Sequence, residues 1–318
     1  MRWGFIGCGR IAQRIMESFR LRPECEVVGV WSRNAESAQA FCAQWGIPRA
    51  YESLDALLGD PSVEIAYVAT PHIAHLEHAS LALLAGKHVL CEKPMCMSRE
   101  ETLRLTALAR EKGLFLMEGL WTCFFPLYAW LRDYLADGAL GRVYNVMADF
   151  SYHAPYDASL RFFRKELGGG AMRGAGIYPL ALSCAVFGEM PTQTSAMADM
   201  ASGVDLRSAA LLRFPSGGTA QIYTGFQGLS AQALSIACEK GSVVVPDFWH
   251  PDRAELRVGD RRSIVEKPYV FPGFQYELDE VESRISQGCT ESPTVPLAFS
   301  VGLSEIMDEM YAQFGANE

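Results

Sequence analysis

Three small residues near the start of the chain have the spacing of a phosphate-binding turn. Gly7, Gly9 and Ala12 form the pattern G-x-G-x-x-A between a strand-like run and a helix-like run. The first glycine permits a tight turn, the second lets a pyrophosphate approach the backbone, and the third lets the helix pack on the strand. The N-terminus of the helix then receives the anion. We therefore predict a dinucleotide site that also includes Arg10 and Ile11, with a ligand-free tight turn as the alternative.

The residues after the second predicted strand bear on which dinucleotide is bound. NAD-binding proteins usually carry an acid there, which binds the ribose 2′-hydroxyl. This chain instead has Ser32, Arg33 and Asn34 in the run VWSRN. Because an arginine binds a 2′-phosphate through two charge-assisted hydrogen bonds, Ser32 and Arg33 favour NADP(H). NAD is the second choice, and an ordinary exposed arginine is the alternative interpretation of Arg33.

The elements that position these residues follow from the hydrophobic pattern. Short β-rich runs alternate with helical patterns over the first ~120 residues, which predicts right-handed βαβ crossovers and a mostly parallel sheet. After Trp121 the run GRVYNVMADFSY alternates with period two, which is typical of a sheet with one packed face. We therefore predict an α/β dinucleotide-binding domain over residues 1–121. Residues 122–318 are expected to form an α+β domain on an antiparallel sheet, with helices at 274–287 and 298–313.

Composition and charge narrow the class of protein. The chain has 318 residues and a net charge of −9, which disfavours nucleic acid and anionic membrane as partners. No segment approaches the ~18 apolar residues needed to span a bilayer, and the first residues do not resemble a signal peptide. The nine cysteines are scattered singly without a C-x-x-C pair, which suits reduced thiols. We expect a cytoplasmic protein.

The stretch VATPHIAHLEHASLALLAGKHVLCEKPM is similar to the Gfo/Idh/MocA oxidoreductases. Thr70–Pro71, His75 and Glu92–Lys93–Pro94 carry the resemblance. The later runs MEGLWTCFFP, GGGAMRGAGIYPL and GFQYELDEVESRI resemble the branch that contains dimeric dihydrodiol dehydrogenases and NADP-dependent D-xylose dehydrogenases. The resemblance extends from residue 2 to about residue 310. It implies a Rossmann domain followed by an open, mainly antiparallel sheet whose outer face often serves dimerisation, so we expect a homodimer.

The same resemblance implies roles for the residues after the third and fourth predicted strands. It places Lys93 beside the nicotinamide and the reacting hydroxyl or carbonyl. A cation there stabilises developing negative charge and lowers the pKa of a neighbouring acid. Thr70, Pro71, His75 and Glu92 are then expected in the cofactor pocket. The alternative for Lys93 is a surface lysine at a strand end.

The histidines near residue 75 are candidate metal ligands by residue type and spacing. His72, His75 and His78 are three apart and can share a helix face with Glu77. No second ligand cluster accompanies them in the sequence, and the resembling family uses no metal here. We therefore expect no metal site.

The glycine-rich run GGGAMRGAGIYPL opens the predicted substrate region. In relatives the tyrosine of this run is the proposed proton donor or acceptor, which assigns that role to Tyr178. Relatives carry an aspartate where this chain has Gly174, with Arg173 just before it, and commonly an arginine where it has Cys123. Tyrosinate would take the hydroxyl proton while Lys93 steadies the oxyanion, or Lys93 itself would carry the proton.

Aromatic residues complete the predicted substrate pocket. Trp121, Phe150 and Phe274, with Arg173, are candidates to face a sugar or cyclic diol, and plain packing is the alternative for the aromatics. The leading hypothesis is an NADP(H)-dependent oxidoreductase acting on a secondary alcohol of a sugar, polyol or cyclic diol. The second is a catalytically impaired NADP(H)- and sugar-binding sensor or partner protein of the same fold, suggested by Gly174 and Cys123.

Overall fold

The computed structural model describes residues 1–315, and the chain divides into two units. The first unit comprises Met1–Trp121 and Phe271–Val301. The second comprises Thr122–Val270 and the chain from Gly302 onward. Residues 271–301 are expected from the sequence to lie in the second domain, whereas in the structure this segment packs with the first unit.

Thirteen strands and nine α-helices are assigned in the described residues. The strands are β1 Arg2–Ile6, β2 Glu26–Trp31, β3 Ile65–Val68, β4 His88–Glu92, β5 Leu116–Gly119, β6 Val143–Ser151, β7 Gln193–Ala201, β8 Val204–Arg213, β9 Thr219–Gly225, β10 Leu234–Cys238, β11 Gly241–Val245, β12 Arg253–Val258 and β13 Arg261–Glu266. The helices are α1 Arg10–Phe19, α2 Ala35–Trp45, α3 Leu54–Leu58, α4 His75–Leu84, α5 Arg99–Lys112, α6 Pro126–Ala136, α7 Ile177–Phe187, α8 Gln275–Ser286 and α9 Leu297–Gly315. Within residues 1–315, no helix combines the length and hydropathy that crossing a bilayer requires.

The first unit is built on a five-stranded parallel sheet in the order β2-β1-β3-β4-β5. All four residues of β3 are buried, as expected for a strand covered by helices on both faces. Rings from neighbouring strands meet in the core, where the centroids of Phe5 and Tyr67 lie 4.9 Å apart. The predicted Rossmann-type α/β domain is confirmed. Its strand order brings the carboxyl ends of β1, β3 and β4 to one edge of the sheet.

The second unit contains an eight-stranded sheet in the order β13-β12-β11-β10-β6-β9-β8-β7. Every neighbouring pair is antiparallel except β6 and β9, which run parallel from Asn145 opposite Thr219 to Ser151 opposite Gly225. Along β6, alternate side chains from Val146 to Phe150 are buried and the intervening Met147 is exposed. The predicted open, mainly antiparallel sheet is therefore confirmed.

Local signals in the sequence explain several helix boundaries. At the start of α5, Ser98 Oγ caps the helix by accepting the Glu101 N–H at 3.2 Å, and the Glu101 carboxylate accepts the Met97 N–H at 2.9 Å. The helix ends at Gly113, which adopts the left-handed conformation that glycine favours. The helices predicted at 274–287 and 298–313 are α8 and α9.

Candidate active site

The turn between β1 and α1 forms an open cradle at the edge of the parallel sheet. Gly7 has a φ of +104°, and a Cβ added there would lie 2.7 Å from the Ala69 carbonyl oxygen. A Cβ added at Gly9, in contrast, would meet no atom within 4 Å. Gly9 is also the N-cap of α1, and no side chain caps the helix. Ala12, in the first turn of α1, is fully buried, and the first N–H groups of a helix have no acceptor within the helix. This cradle fits a pyrophosphate.

The end of β2 presents a hydroxyl and a guanidinium. Ser32 is half-buried and Arg33 is exposed. The Asn34 side chain does not extend this surface, because it caps α2 by accepting the Ser37 N–H at 3.0 Å. No carboxyl group occupies residues 32–34. The end of β2 therefore offers a hydroxyl and a cation where a carboxylate would bind a 2′-hydroxyl.

The loop after β3 is fixed by histidines. Both ring nitrogens of the buried His75 face backbone carbonyls: Nδ1 lies 2.8 Å from the Pro94 oxygen and Nε2 lies 2.9 Å from the Thr70 oxygen. The Thr70 hydroxyl lies 3.0 Å from Nδ1 of His78. Burial lowers the pKa of His78, and the nearby Arg33 charge lowers it further. Pro71 precedes the short 3₁₀ turn His72–Ala74 that leads into α4.

These contacts show how the histidines that could bind a metal ion by their spacing are used in the structure. The His72 and His75 rings are 5.6 Å apart, but His75 and His78 make the loop contacts described above. Among residues 1–315, no three His, Cys, Asp or Glu side chains are arranged to hold a metal ion. The histidines therefore position the loop next to the predicted cofactor cradle.

The loop after β4 carries Lys93 at the same sheet edge. Glu92 is buried and accepts a hydrogen bond from the Tyr67 hydroxyl at 2.7 Å, while its other oxygen accepts the Lys93 N–H at 3.3 Å. Lys93 itself is half-buried and is followed by a cis peptide bond to Pro94. The parallel strands therefore bring the glycine cradle and the Lys93 loop to one edge of a single sheet, the edge where ligands bind in such folds.

Two further carboxyl groups belong to this region, and the sequence analysis missed both. Glu118 in β5 accepts the Met95 N–H at 2.8 Å, and burial raises its pKa to about 7. Glu277 in α8 is fully buried, and burial together with the charge of Glu92 raises its pKa well above the usual range. The signal for Glu118 was an acid inside the apolar strand run LFLMEG. No local signal marked Glu277, because its helix returns from the other end of the chain.

In the second unit, the glycine-rich run forms a π-helical turn that leads into α7. The turn spans Met172–Gly176, and its first N–H is accepted by the buried Asp205 carboxylate at 2.7 Å. Gly170 has a φ of +115°, and a Cβ there would lie 2.2 Å from the same carboxylate. Asp205 also accepts the Tyr311 hydroxyl at 2.7 Å. The glycines therefore let the chain pass close to Asp205 as it enters the helix.

The predicted substrate residues near this turn have defined surroundings. Arg173 lies with its guanidinium carbon 3.7 Å from the centroid of the Tyr311 ring. A Cβ at Gly174 would make ordinary contact with Phe226 at 3.5 Å, so this position has room for a side chain. Cys123 is buried, and its carbonyl accepts a hydrogen bond from Arg132 at 2.9 Å.

Tyr178 lies at the start of α7 among aromatic rings of the second unit. Its ring meets Phe150 edge-on, with centroids 5.9 Å apart. Phe150 is stacked on Trp249 at 5.5 Å, and the partly exposed Trp249 donates a hydrogen bond to Gln232 at 3.1 Å. Trp249 was not among the predicted residues, because its run DFWHPD carries no periodic pattern that would place it beside β6.

The other two predicted aromatics lie together in the first unit. Trp121 and Phe274 are stacked with their centroids 4.2 Å apart, and the Arg14 guanidinium lies 5.3 Å from the Phe274 ring. Phe274 is fully buried. The structure therefore brings together Trp121 with Phe274, and Phe150 with Tyr178. Packing is the role visible for the Trp121–Phe274 pair.

Comparison with known proteins identifies the family. Residues 1–120 match the family model described as oxidoreductase family, NAD-binding Rossmann fold, and residues 128–244 match the GFO/IDH/MocA C-terminal domain. The chain belongs to the Gfo/Idh/MocA oxidoreductase family. It is thus an oxidoreductase with an NAD(P)-binding domain, as the sequence predicted.

Relatives of this oxidoreductase match over nearly the whole chain. The trans-1,2-dihydrobenzene-1,2-diol dehydrogenase of Mus musculus is 32% identical over 326 residues, covering 99% of this chain and 97% of that protein. The Danio rerio enzyme of the same name is 34% identical over 328 residues, with the same coverage.

Solved structures show the same fold. An aldose-aldose oxidoreductase from Caulobacter crescentus matches with a TM-score of 0.91 and 25% identity, covering 100% of this chain and 98% of that one. A 3-ketoreductase from Actinomadura kijaniata in complex with NADP and TDP-benzene matches with a TM-score of 0.88 and 26% identity, covering 99% and 98%. Structures of two variants of this reductase also match, one with a tyrosine replaced by phenylalanine and one with a lysine replaced by alanine.

Proposed function

We propose that this chain is an NADP(H)-dependent dehydrogenase for a secondary alcohol of a sugar, polyol or cyclic diol. The observation that carries the proposal is the shared sheet edge of the first unit. There the open cradle at Gly9 and the Lys93 loop follow β1 and β4, and His75 bonds the carbonyls of Thr70 and Pro94. A phosphate cradle and a cation at one edge suit a dinucleotide and a reacting oxygen.

The choice of NADP(H) over NAD(H) is supported by the end of β2. Arg33 is exposed there, with Ser32 before it, and residues 32–34 contain no acid to bind a 2′-hydroxyl. A guanidinium binds a phosphate through paired charge-assisted hydrogen bonds. We therefore assign Ser32 and Arg33 to the 2′-phosphate, and Gly7, Gly9, Arg10, Ile11 and Ala12 to the pyrophosphate turn.

Lys93 and Tyr178 are the residues we assign to the chemistry. When bound, the nicotinamide accepts or donates the hydride. The Lys93 ammonium stabilises negative charge on the substrate oxygen, as a fixed cation does in a water-poor site. A free tyrosine has a pKa of ~10, and a nearby ammonium favours its ionised form at lower pH. Tyr178 then takes the hydroxyl proton, with Lys93 as the second candidate for that transfer.

The substrate class is supported by the names of relatives and by the aromatic surface near Tyr178. The matched proteins are named as dihydrobenzenediol dehydrogenase, aldose-aldose oxidoreductase and 3-ketoreductase. Rings such as the Phe150–Trp249 stack offer a flat apolar face to a sugar or cyclic diol. A Cβ at Gly174, where the family resemblance implies an aspartate, would make only ordinary contact with Phe226.

The test is a substrate panel followed at 340 nm. Purified protein with NADP⁺ should oxidise at least one aldose, polyol or cyclic diol, and Lys93→Ala should abolish that rate while NADP(H) still binds. Tyr178→Phe compared with Lys93→Ala across pH separates the two candidates for proton transfer. Binding of NADP(H) without turnover on any substrate, unchanged by Lys93→Ala, would instead establish the sensor or partner function.

We also propose a cytoplasmic homodimer assembled through the outer face of the eight-stranded sheet. Apolar side chains stand exposed there on adjacent strands: Met147 and Leu211 flank Gln221, while Met197 and Tyr223 flank Ala209. Met197 is 68% exposed, which is unusual for a large apolar residue on a sheet.

Analytical ultracentrifugation tests the dimer. The double variant Met147→Lys/Leu211→Lys should sediment as a monomer, because two ammonium groups cannot be buried unpaired at the centre of an interface. Leu103→Lys, at an exposed apolar position on α5, is the matched control and should stay dimeric. A monomeric wild-type protein at micromolar concentration would contradict this assembly.

A further inference from the structure

Three buried carboxyl groups surround the turn that carries Lys93, and two of them have no role in the proposed chemistry. Glu92 ends β4, Glu118 lies in β5 and Glu277 lies in α8. Their exposed fractions are 6%, 2% and 0%. The charge of Glu92 acts on both other carboxyls, and the charge of Lys93 acts on Glu118. Acids this deeply buried occur rarely unless they are paired.

Glu118 holds the Lys93 turn in place from the neighbouring strand. In the β4–β5 register, Cys91 lies opposite Glu118. The Glu118 side chain reaches past the strand end and accepts the Met95 N–H at 2.8 Å. His75 Nδ1 lies 2.8 Å from the carbonyl oxygen of Pro94 in the same turn. The peptide group between Pro94 and Met95 is therefore held by two buried side chains, His75 at its carbonyl oxygen and Glu118 at its N–H.

Glu277 differs from Glu118 in its contacts. Neither of its carboxyl oxygens has a hydrogen-bond partner among residues 1–315, and the side chain is fully buried. An ionised carboxylate without a partner is far more costly in such a place than a neutral acid. Burial and the Glu92 charge both raise its pKa. The surroundings of Glu277 therefore favour its neutral form.

Glu118 faces groups from several elements. They are Cys91 and Glu92 of β4, Lys93 and Cys96 of the following turn, and Ser300 of α9. Lys93 supplies the positive charge among them. Burial has the largest effect and, with the Glu92 charge, disfavours the ionised form of Glu118. The Ser300 hydroxyl, the Met95 N–H and the Lys93 ammonium favour that form.

We propose that Glu118 is a positioning residue for Lys93. The Glu118 carboxylate holds the 93–95 turn and keeps Lys93 in its ammonium form, while Glu277 is a neutral neighbour. The proposal rests on the proposed function in one respect, namely that Lys93 acts on the substrate oxygen. Two opposite charges favour each other's ionised form equally, so removing the Glu118 charge makes Lys93 release its proton at lower pH.

The experiment measures the titration of Lys93 without any substrate. The chain has six lysines, so reductive ¹³C-dimethylation gives a simple set of methyl resonances, and Lys93→Arg assigns the signal of Lys93. In Glu118→Gln the Lys93 pKa should fall by about one unit or more. Glu277→Gln makes the same substitution within the cluster and should leave the Lys93 pKa unchanged, since Glu277 carries no charge to remove. Glu100→Gln, exposed on α5, is the control for surface charge.

A second variant covers the case in which Glu118→Gln does not fold. Lys93→Met keeps Glu118, and the carboxyl carbon of Glu118 should then titrate at a higher pH than in the wild type. An unchanged Lys93 titration in Glu118→Gln, or an unchanged Glu118 titration in Lys93→Met, overturns the proposal. Equal shifts of the Lys93 pKa in Glu118→Gln and Glu277→Gln also overturn the proposal, because they would show that Glu277 is charged.

Enzyme kinetics separate this inference from the proposed function. In the active enzyme, Glu118→Gln should shift the alkaline limb of the kcat profile to lower pH by the amount seen for Lys93, and Glu118→Asp should restore it. A Lys93 titration that shifts in a protein without turnover would contradict the proposed function and leave the pairing of Glu118 with Lys93 standing. If the enzyme turns over but Glu118→Gln shifts neither the Lys93 titration nor the alkaline limb of the kcat profile, only the role of Glu118 is contradicted.

Discussion

The His75 ring lies 2.8 Å from the Pro94 carbonyl oxygen, which ties α4 to the turn after β4. Its second nitrogen lies 2.9 Å from the Thr70 oxygen, in the loop after β3. A neutral imidazole carries one N–H, so both carbonyls receive a hydrogen bond only when the ring carries two protons. One buried side chain thus holds two loops at the edge where the cofactor cradle lies.

Replacing His75 should weaken cofactor binding as well as the fold. His75→Ala leaves two buried carbonyls without this partner, which costs about 1–3 kcal/mol of unfolding free energy. The Kd for NADP(H) should rise because both loops lose their fixed position. Urea unfolding and fluorescence titration with NADPH measure the two effects. Ile73→Ala, at an exposed position of the same segment, should change neither. A stable His75→Ala protein with wild-type affinity would refute this account.

The two glycines of the β1–α1 turn should respond differently to alanine. Gly7→Ala places a methyl group 2.7 Å from the Ala69 oxygen at a φ of +104°, so it should destabilise the fold by about 1–3 kcal/mol. Gly9→Ala meets no protein atom, so the melting temperature should stay close to that of the wild type. Its methyl group would occupy the cradle, and NADP(H) affinity should fall at least about tenfold. Full affinity in Gly9→Ala would rule out a pyrophosphate at this turn.

Arg33 should discriminate between the two dinucleotides. Arg33→Ala removes a charge-assisted contact to the 2′-phosphate worth about 1.5–3 kcal/mol, so the Kd for NADP(H) should rise about tenfold to a hundredfold. NAD(H) lacks that phosphate and should bind almost as before. Calorimetry with both dinucleotides makes the comparison, with Lys112→Ala on the exposed end of α5 as the charge control. Equal losses for both dinucleotides would remove the assignment of NADP(H).

Glu118 should make folding stability depend on pH. Its pKa is about 7 in the folded protein, above the ordinary value of 4.5. The folded state therefore binds this proton more tightly, so the contribution to stability is present below pH 4.5 and is lost as the pH rises through 7. The loss amounts to about 3 kcal/mol. Denaturant unfolding from pH 5 to pH 8 should show a smaller decline in Glu118→Gln than in the wild type. Parallel curves would show that Glu118 does not titrate in this range.

Gly174 should accept the carboxylate that the family resemblance leads us to expect at this position. The added Cβ of Gly174→Asp would lie 3.5 Å from Phe226, an ordinary contact, so the variant should fold normally. Turnover of sugars should increase, because a carboxylate accepts hydrogen bonds from hydroxyl groups. Gly176→Ala is a contrasting variant that should destabilise the fold, since its Cβ would lie 2.5 Å from the Met172 sulfur. Unaltered or lower turnover in a folded Gly174→Asp protein would show that the missing carboxylate does not limit activity.

Much of the fold could be predicted because hydrophobic periodicity is a local property. The alternation of strand and helix patterns predicted the parallel sheet, and the period-two run predicted β6. The return of residues 271–301 to the first unit could not be predicted, because an amphipathic helix does not specify which core it joins. Strands β12 and β13 were also missed. The run RAELRV of β12 does alternate charged and apolar residues, which is a strand signal, whereas RRSIVE of β13 is largely exposed and does not alternate.

The candidate site also contains residues that the sequence could predict and residues that it could not. The glycine turn and the Glu92–Lys93–Pro94 loop could be found because each is a contiguous motif in the sequence. Glu277 and Trp249 could not be found, because their significance depends on segments distant in the chain. Glu277 becomes notable only once it is buried within reach of the charge of Glu92, and Trp249 only once it stacks on Phe150. Three-dimensional proximity between distant segments leaves no spacing signal.

The return of the chain to the first unit has a consequence for biosynthesis. The Trp3 indole donates a hydrogen bond of 2.7 Å to Glu282, 279 positions later in the chain. Because the segment Phe271–Val301 belongs to the same unit as the first strand, the ribosome must make nearly the whole chain before that unit has all its parts. Residues 1–121 therefore leave the ribosome early and remain without α8 while residues 122–270 of the second unit are translated. A nascent chain arrested before residue 271 should bind NADPH weakly or not at all.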